Sequence, residues 1–173
     1  MIFSLVGCGK KDIQSDISDS LGIDVSKGTV LTDSDAHGGF HGDGMMFQQI
    51  TFEDSMLSDE IKDNDSWKPL PLSQNIEALV YGIEEDTSSI GPYLTDENGD
   101  TIIPDIQNGY YYFYDRHSES TEPYNDKDVL NRASFNFTLA VYDFDNYVLY
   151  YNEKADLAQH ILLLYIVCLT FCS

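Results

Sequence analysis

Two runs rich in aromatic and β-branched residues, ASFNFTLAVY (133–142) and YVLYY (147–151), are separated only by Asp143, Phe144, Asp145 and Asn146. So short a connection suits an antiparallel hairpin, because a parallel pair needs a crossover of a dozen or more residues. Period-two alternation puts Phe135, Phe137, Leu139 and Val141 on one face, which is expected to be buried. Any fold for this chain has to be built outward from that hairpin.

Other segments supply the rest of a sheet. GYYYFYD (109–115) reads as a strand, and so does MMFQQITF (45–52), which is apolar at its ends on both faces and so belongs inside the sheet. GTVLT (28–32) is a further short strand. Two short helices are expected between them. One is capped by Asp54 or Ser55, with Met56, Leu57 and Ile61 as its apolar edge, and ends by Asn64. The other follows an extended stretch imposed by Pro69 and Pro71, is capped by Ser73, buries Ile76, Leu79 and Val80, and stops at Gly82. A strand over this second segment is the alternative. Asn98-Gly99 marks a tight turn between Tyr93-Leu94 and Ile102-Ile103. The fold class is therefore α+β: an antiparallel sheet of about five or six strands with one or two short helices packed on one side.

A length of 173 residues suits one domain. The charge is the outlier, since 30 acidic residues against 9 basic ones leave −21. Such a body repels polyanions, and the lysines and arginines are scattered, so nucleic acid is excluded as a partner. Between Cys8 and Cys168 there is no cysteine, which leaves no material for a disulfide framework or a thiolate zinc site.

The first residues bear on location. Leu5, Val6, Gly7 and Cys8 close a short apolar run and precede a polar stretch. This tetrad resembles the lipobox of bacterial lipoproteins, in which cleavage precedes the cysteine and its thiol carries the lipid. The resemblance implies lipidation at Cys8, a residual signal peptide over 1–7, and anchoring to the outer face of the cell membrane. Only seven residues precede Cys8, without a basic n-region, so Met1 is not expected to be the true start. Residues 8–27 are expected to form the lipidated cysteine and a flexible tether, with a brief helical turn over Asp16 to Leu21, and 28–156 the single domain. Residues 157–173 include the uncharged run ILLLYIVCLTFC, shorter than the roughly 20 residues that span a bilayer. A frame error, a core element and a membrane-seeking segment stay open for it.

Three constellations invite chemistry. DSDAHGGFHGDG (33–44) crowds Asp33, Asp35, His37, His41 and Asp43 among four glycines, and a backbone that permissive would let such ligands converge on a divalent metal. His37, His41, Asp43 and Asp35, with His117 as a more distant partner, are the candidate ligands, and a polar surface loop is the competing reading. YDRHSESTE (114–122) places His117 near Ser118 and Ser120, but no nucleophile elbow accompanies it, and an exposed loop with an Asp/Arg pair is the simpler reading. Finally, Tyr110, Tyr112 and Tyr114 share one face of a strand in a chain with 12 tyrosines, a pattern that suits a half-wet surface able to stack on sugars.

GIDVSKGTVLTDSDAHGGFHGDG, WKPLPLSQNIEALVYGIEEDTSSIGPYL, NGYYYFYDRHSES and LNRASFNFTLAVYD, spanning roughly 22–153, together resemble a group of small lipoproteins from Clostridia-like Gram-positive bacteria. That resemblance carries no activity. The leading expectation is a non-enzymatic binding or interaction module, held to the membrane by a lipid and facing an envelope protein or glycan. A metal-dependent envelope hydrolase built on the Asp33–Asp43 loop and a glycan-binding module are the alternatives.

Overall fold

The computed structural model of the chain describes residues 13–35, 44–85 and 88–156. In chain order the elements are helix α1 (Ile13–Leu21), strands β1 (Thr29–Asp35) and β2 (Gly44–Thr51), helix α2 (Met56–Lys62), strand β3 (Trp67–Pro69) and helix α3 (Gln74–Val80). Strands β4 (Ile83–Glu85), β5 (Ser88–Ile90) and β6 (Gly109–Asp115), a 3₁₀ turn (Val129–Asn131), and strands β7 (Asn136–Asp143) and β8 (Val148–Ala155) complete it. Six strands form one sheet in the order β1-β2-β8-β7-β6-β3, every neighbouring pair antiparallel, while β4 and β5 make a separate small ribbon. The α+β architecture expected from the sequence is the one observed.

The β7–β8 hairpin sits at the centre, with Asp143 opposite Val148 and Asn136 opposite Ala155. Its turn is shaped by Asp143, whose Oδ1 accepts the backbone N–H of Asp145 (2.8 Å) and Asn146 (3.1 Å) while Oδ2 accepts the Asn146 amide (2.7 Å). Tyr147 takes up the left-handed twist with φ of 53°. β2 lies inside the sheet between β1 and β8, as its two-faced apolarity required.

Alternation along the strands divides the core into two layers. Phe137, Leu139 and Val141 of β7, with Tyr111 and Phe113 of β6, meet Ile76, Leu79 and Val80 of α3. Ala140 and Tyr142, with Tyr112, Leu149 and Tyr151, meet Ile17 and Leu21 of α1 and Leu57 and Ile61 of α2. Three helices therefore cover both faces of the sheet, and the expected placement of helices on one side is corrected. The reason is visible in the strands: β7 is buried at every position from Phe137 to Asp143, and a strand apolar on both faces needs cover on both.

Residues 13–27 are not a tether. Ile17, Leu21, Ile23 and Val25 are all buried, the Trp67 indole N–H donates to the Leu21 carbonyl at 3.3 Å, and the Tyr112 hydroxyl donates to the Ser20 carbonyl at 2.9 Å. The isolated Ile, Leu and Val of this stretch are spaced for one helical stripe and the turn that follows it, which corrects the expected flexible tether over these residues.

Local signals were accurate at the helix starts. The Ser73 hydroxyl accepts the N–H of Ile76 at 3.3 Å, and α3 gives way to Gly82 at φ +78°. At α2 the Asp54 carboxylate accepts the Met56 N–H at 3.0 Å, whereas Ser55 makes no side-chain cap. Met56 faces water instead of joining the apolar edge; Leu57 and Ile61 are buried. The Asn98-Gly99 turn forms, with Gly99 at φ +87°, but it closes a single bridge, Thr95 to Thr101.

Candidate functional site

The described residue best placed to act as a base is His117, just past the end of β6. Its Nε2 lies 3.2 Å from the Ser134 hydroxyl, a separation at which a serine nucleophile and its base would stand. The other ring nitrogen decides the roles. Nδ1 accepts the backbone N–H of Glu119 at 3.2 Å, so the hydrogen of the neutral imidazole is on Nε2 and is donated to Ser134. The ring is therefore oriented to support Ser134, not to deprotonate it. Neither Ser118 nor Ser120 contacts the ring through a hydrogen bond; Ser120 donates its N–H to the His117 carbonyl.

The neighbouring charges also depart from expectation. Asp115 does not pair with Arg116 in an exposed loop. It is buried and meets Arg132 at 2.9 Å, while its Oδ1 accepts the His117 N–H at 3.0 Å. Arg116 turns to the other face, where it donates to Thr138, to Asn136 Oδ1 (3.0 Å), to the Phe137 carbonyl (3.1 Å) and to Glu153 (3.2 Å). Glu153 also accepts the Tyr151 hydroxyl at 2.6 Å. This is a network that fastens three strands together at one end of the sheet.

Of the candidate metal ligands, His37, His41 and Asp43 lie outside the described residues, as does Cys8. Asp35 ends β1 on the sheet edge, and the register Asp35, Met46, Glu153, Thr138, Tyr114 counts four strand spacings to the strand that leads into His117. At roughly 4.8 Å per spacing that is about 19 Å, so Asp35 and His117 do not share an ion. Among the described residues no three His, Cys, Asp or Glu side chains group closely enough to hold a metal.

The three tyrosines of β6 share a face, as alternation required, but that face is covered by α1 and α2. Tyr112 is only 4% exposed, packs at 5.6 Å on Trp67 and spends its hydroxyl on Ser20. Burial raises its pKa, and the neighbouring Tyr124 adds to the shift. Tyr110 stacks on Phe144 at 5.4 Å, and Tyr114 meets Tyr124 edge-on at 5.1 Å. Tyr112 is a core residue, and the expected open stacking surface on this strand is corrected accordingly.

The site that sequence reasoning missed lies on the opposite face, beside α3. A cleft of about 380 Å³ opens between the extended segment Leu70 to Leu72, the end of α3 and residues 105–107, with the buried Val141 of β7 at its floor. Leu70, Leu72 and Ile106 add apolar wall. Glu77 and Tyr81 are one helical turn apart, which brings both side chains to the same rim. The Tyr81 hydroxyl donates to the Pro104 carbonyl at 2.6 Å, and the Gln107 amide donates to Asp105 Oδ1 at 2.6 Å. Burial, then the carboxylates of Asp105 and Glu77, push the Tyr81 pKa up to about 12.

Compared with known proteins, the chain matches no family model, no curated protein and no solved structure. The cleft must therefore be read from its own chemistry. Only its far end was suggested in the sequence, by the amphipathic stretch QNIEALVYG (74–82). Nothing local announces that residues 105–107, more than twenty positions further along, return to face it.

Proposed function

We propose that this chain is a non-enzymatic binding module, held to the outer face of a cell membrane by a lipid on Cys8, with the α3-side cleft as its ligand site. The observation that carries the binding reading is the cleft itself: an apolar floor ringed by a few polar groups, of the size that accepts small molecules. The orientation of His117 speaks in the same direction, because the one imidazole beside a serine hydroxyl among the described residues already has its acceptor nitrogen occupied. The anchor rests on the lipobox resemblance of Leu5, Val6, Gly7 and Cys8.

The two parts are tested separately. Backbone amide shifts recorded against a small-fragment library are expected to cluster at Leu72, Tyr81, Ile106 and Gln107; hits scattered elsewhere, or none, would remove the cleft as the site. Metabolic labelling with an alkyne fatty acid in a Gram-positive host is expected to mark the full-length precursor and to be abolished by Cys8→Ala. An unlabelled wild-type protein would remove the anchor and leave the cleft reading untouched.

A further inference from the structure

We infer that the cleft beside α3 selects a small organic cation, an ammonium or guanidinium group carried on an apolar stem. This deepens the binding reading above and rests on it. Glu77 is a carboxylate on the rim and offers only acceptors. Asp105 has one oxygen engaged by Gln107 and the other left to accept. Tyr81 has already given its hydroxyl hydrogen to Pro104, and the Ile106 N–H bears on its oxygen, so it brings no donor to the cleft. The Gln107 amide supplies the rim's only side-chain N–H groups, and it is held against Asp105.

A ligand that is itself an acceptor or an anion would leave this rim unsatisfied or repelled. A cationic donor would satisfy it, while its carbon stem covers Leu70, Leu72, Ile106 and Val141. Among the described residues no lysine or arginine forms an ion pair with Glu77 or Asp105. Burial first, and then these same two carboxylates, raise the Tyr81 pKa, in keeping with an acidic rim. A whole-chain charge of −21 draws cations toward the surface in general, so the cleft must add a contribution of its own.

The test compares three isosteric probes, n-pentylammonium, 1-pentanol and pentanoate, followed by amide shifts and by calorimetry on the full chain. Pentylammonium is expected to give saturable shifts centred on Tyr81, Ile106 and Gln107, with an affinity about fivefold or more above that of pentanol, in keeping with two partly exposed charge contacts. That advantage should shrink as salt is raised from 20 to about 500 mM and vanish in the Glu77→Gln, Asp105→Asn double variant, whose substitutions are both on exposed side chains. Pentanol or pentanoate binding the cleft as tightly as the ammonium would overturn the cation preference and leave the binding reading standing. Shifts spread evenly over the acidic surface would overturn the preference too. No saturable shift with any probe would overturn both.

Discussion

Arg132 and Asp115 face each other across 2.9 Å with their side chains 8% and 2% exposed, an ion pair sealed between the long β6–β7 connection and the end of β6. The connection spans some twenty residues with only a 3₁₀ turn of its own. A charge pair removed from water holds such a segment in place only while both partners are present, because the desolvation cost of either one alone is several kcal/mol.

Arg132→Met is therefore expected to lower unfolding free energy by about 3–5 kcal/mol, and Asp115→Ala by a similar amount. The double replacement Asp115→Leu, Arg132→Met should recover much of that loss, since two apolar groups leave no stranded charge. Urea titration followed by the fluorescence of Trp67, the single tryptophan, reads all three. A double variant as unstable as the sum of the singles would contradict the assignment.

Ile17→Ala should cost about 2–5 kcal/mol, the range for truncating a fully buried aliphatic side chain. Ile17 lies in the same layer as Trp67 and Tyr112, so the loss is expected in the global transition, with no separate early phase. Were residues 13–27 only a tether, the variant would be indistinguishable from wild type.

Two glycines make a paired prediction. A Cβ on Gly109 would run into the carbonyl oxygen of Tyr142 on the neighbouring strand, while one on Gly99 would meet nothing within 4 Å. Gly109→Ala should then destabilise by roughly 1–3 kcal/mol through displacement of the β6–β7 pair. Gly99→Ala should cost about 1 kcal/mol, from its φ of +87° alone. Equal thermal shifts for the two would show that the strand contact is not as tight as described.

Alkali should unfold the protein early. Tyr112, Tyr142 and Tyr151 are almost fully buried, and burial raises each of their pKa values. In the unfolded chain these phenols ionise near pH 10, while in the fold they still hold their protons. The unfolded state thus binds fewer protons above that pH, and stability falls as pH rises, by up to about 1.4 kcal/mol per pH unit for each tyrosine. Below pH 9 these groups contribute no slope. Denaturation midpoints at pH 9, 10 and 11, beside absorbance titration at 295 nm, check the sign; a midpoint flat across that range would refute it.

Ser134 should be inert. With the His117 hydrogen directed at its oxygen, no base is available to activate it, and a fluorophosphonate probe is expected to leave it unlabelled. Covalent labelling of Ser134 detected by mass spectrometry would reverse the ring assignment and reopen a hydrolase.

Much of the sheet was legible because strand signals are local. GYYYFYD became β6 with both ends as read, and the β7–β8 hairpin followed from a short connection between two alternating runs. The Ser73 cap and the Gly82 stop were equally readable, each being a matter of one side chain or one φ angle. The cleft was not, because Glu77 and Tyr81 owe their role to Asp105 and to Val141, which lie far off in sequence. The tyrosines of β6 misled for a related reason. A half-wet tyrosine and a buried one look alike until the hydroxyl finds its partner, and for Tyr112 that partner is Ser20, 92 residues away.

What the sequence determined by itself was the strands β1, β2, β6, β7 and β8, the helices α2 and α3 and the antiparallel class of the sheet, since alternation, caps and turn residues act over a few positions. What only the tertiary structure decided was which faces are covered, where α1 goes and which carboxylates share a rim. Those outcomes depend on contacts between segments distant along the chain, and the free energy of burying a side chain is fixed by whatever arrives to cover it.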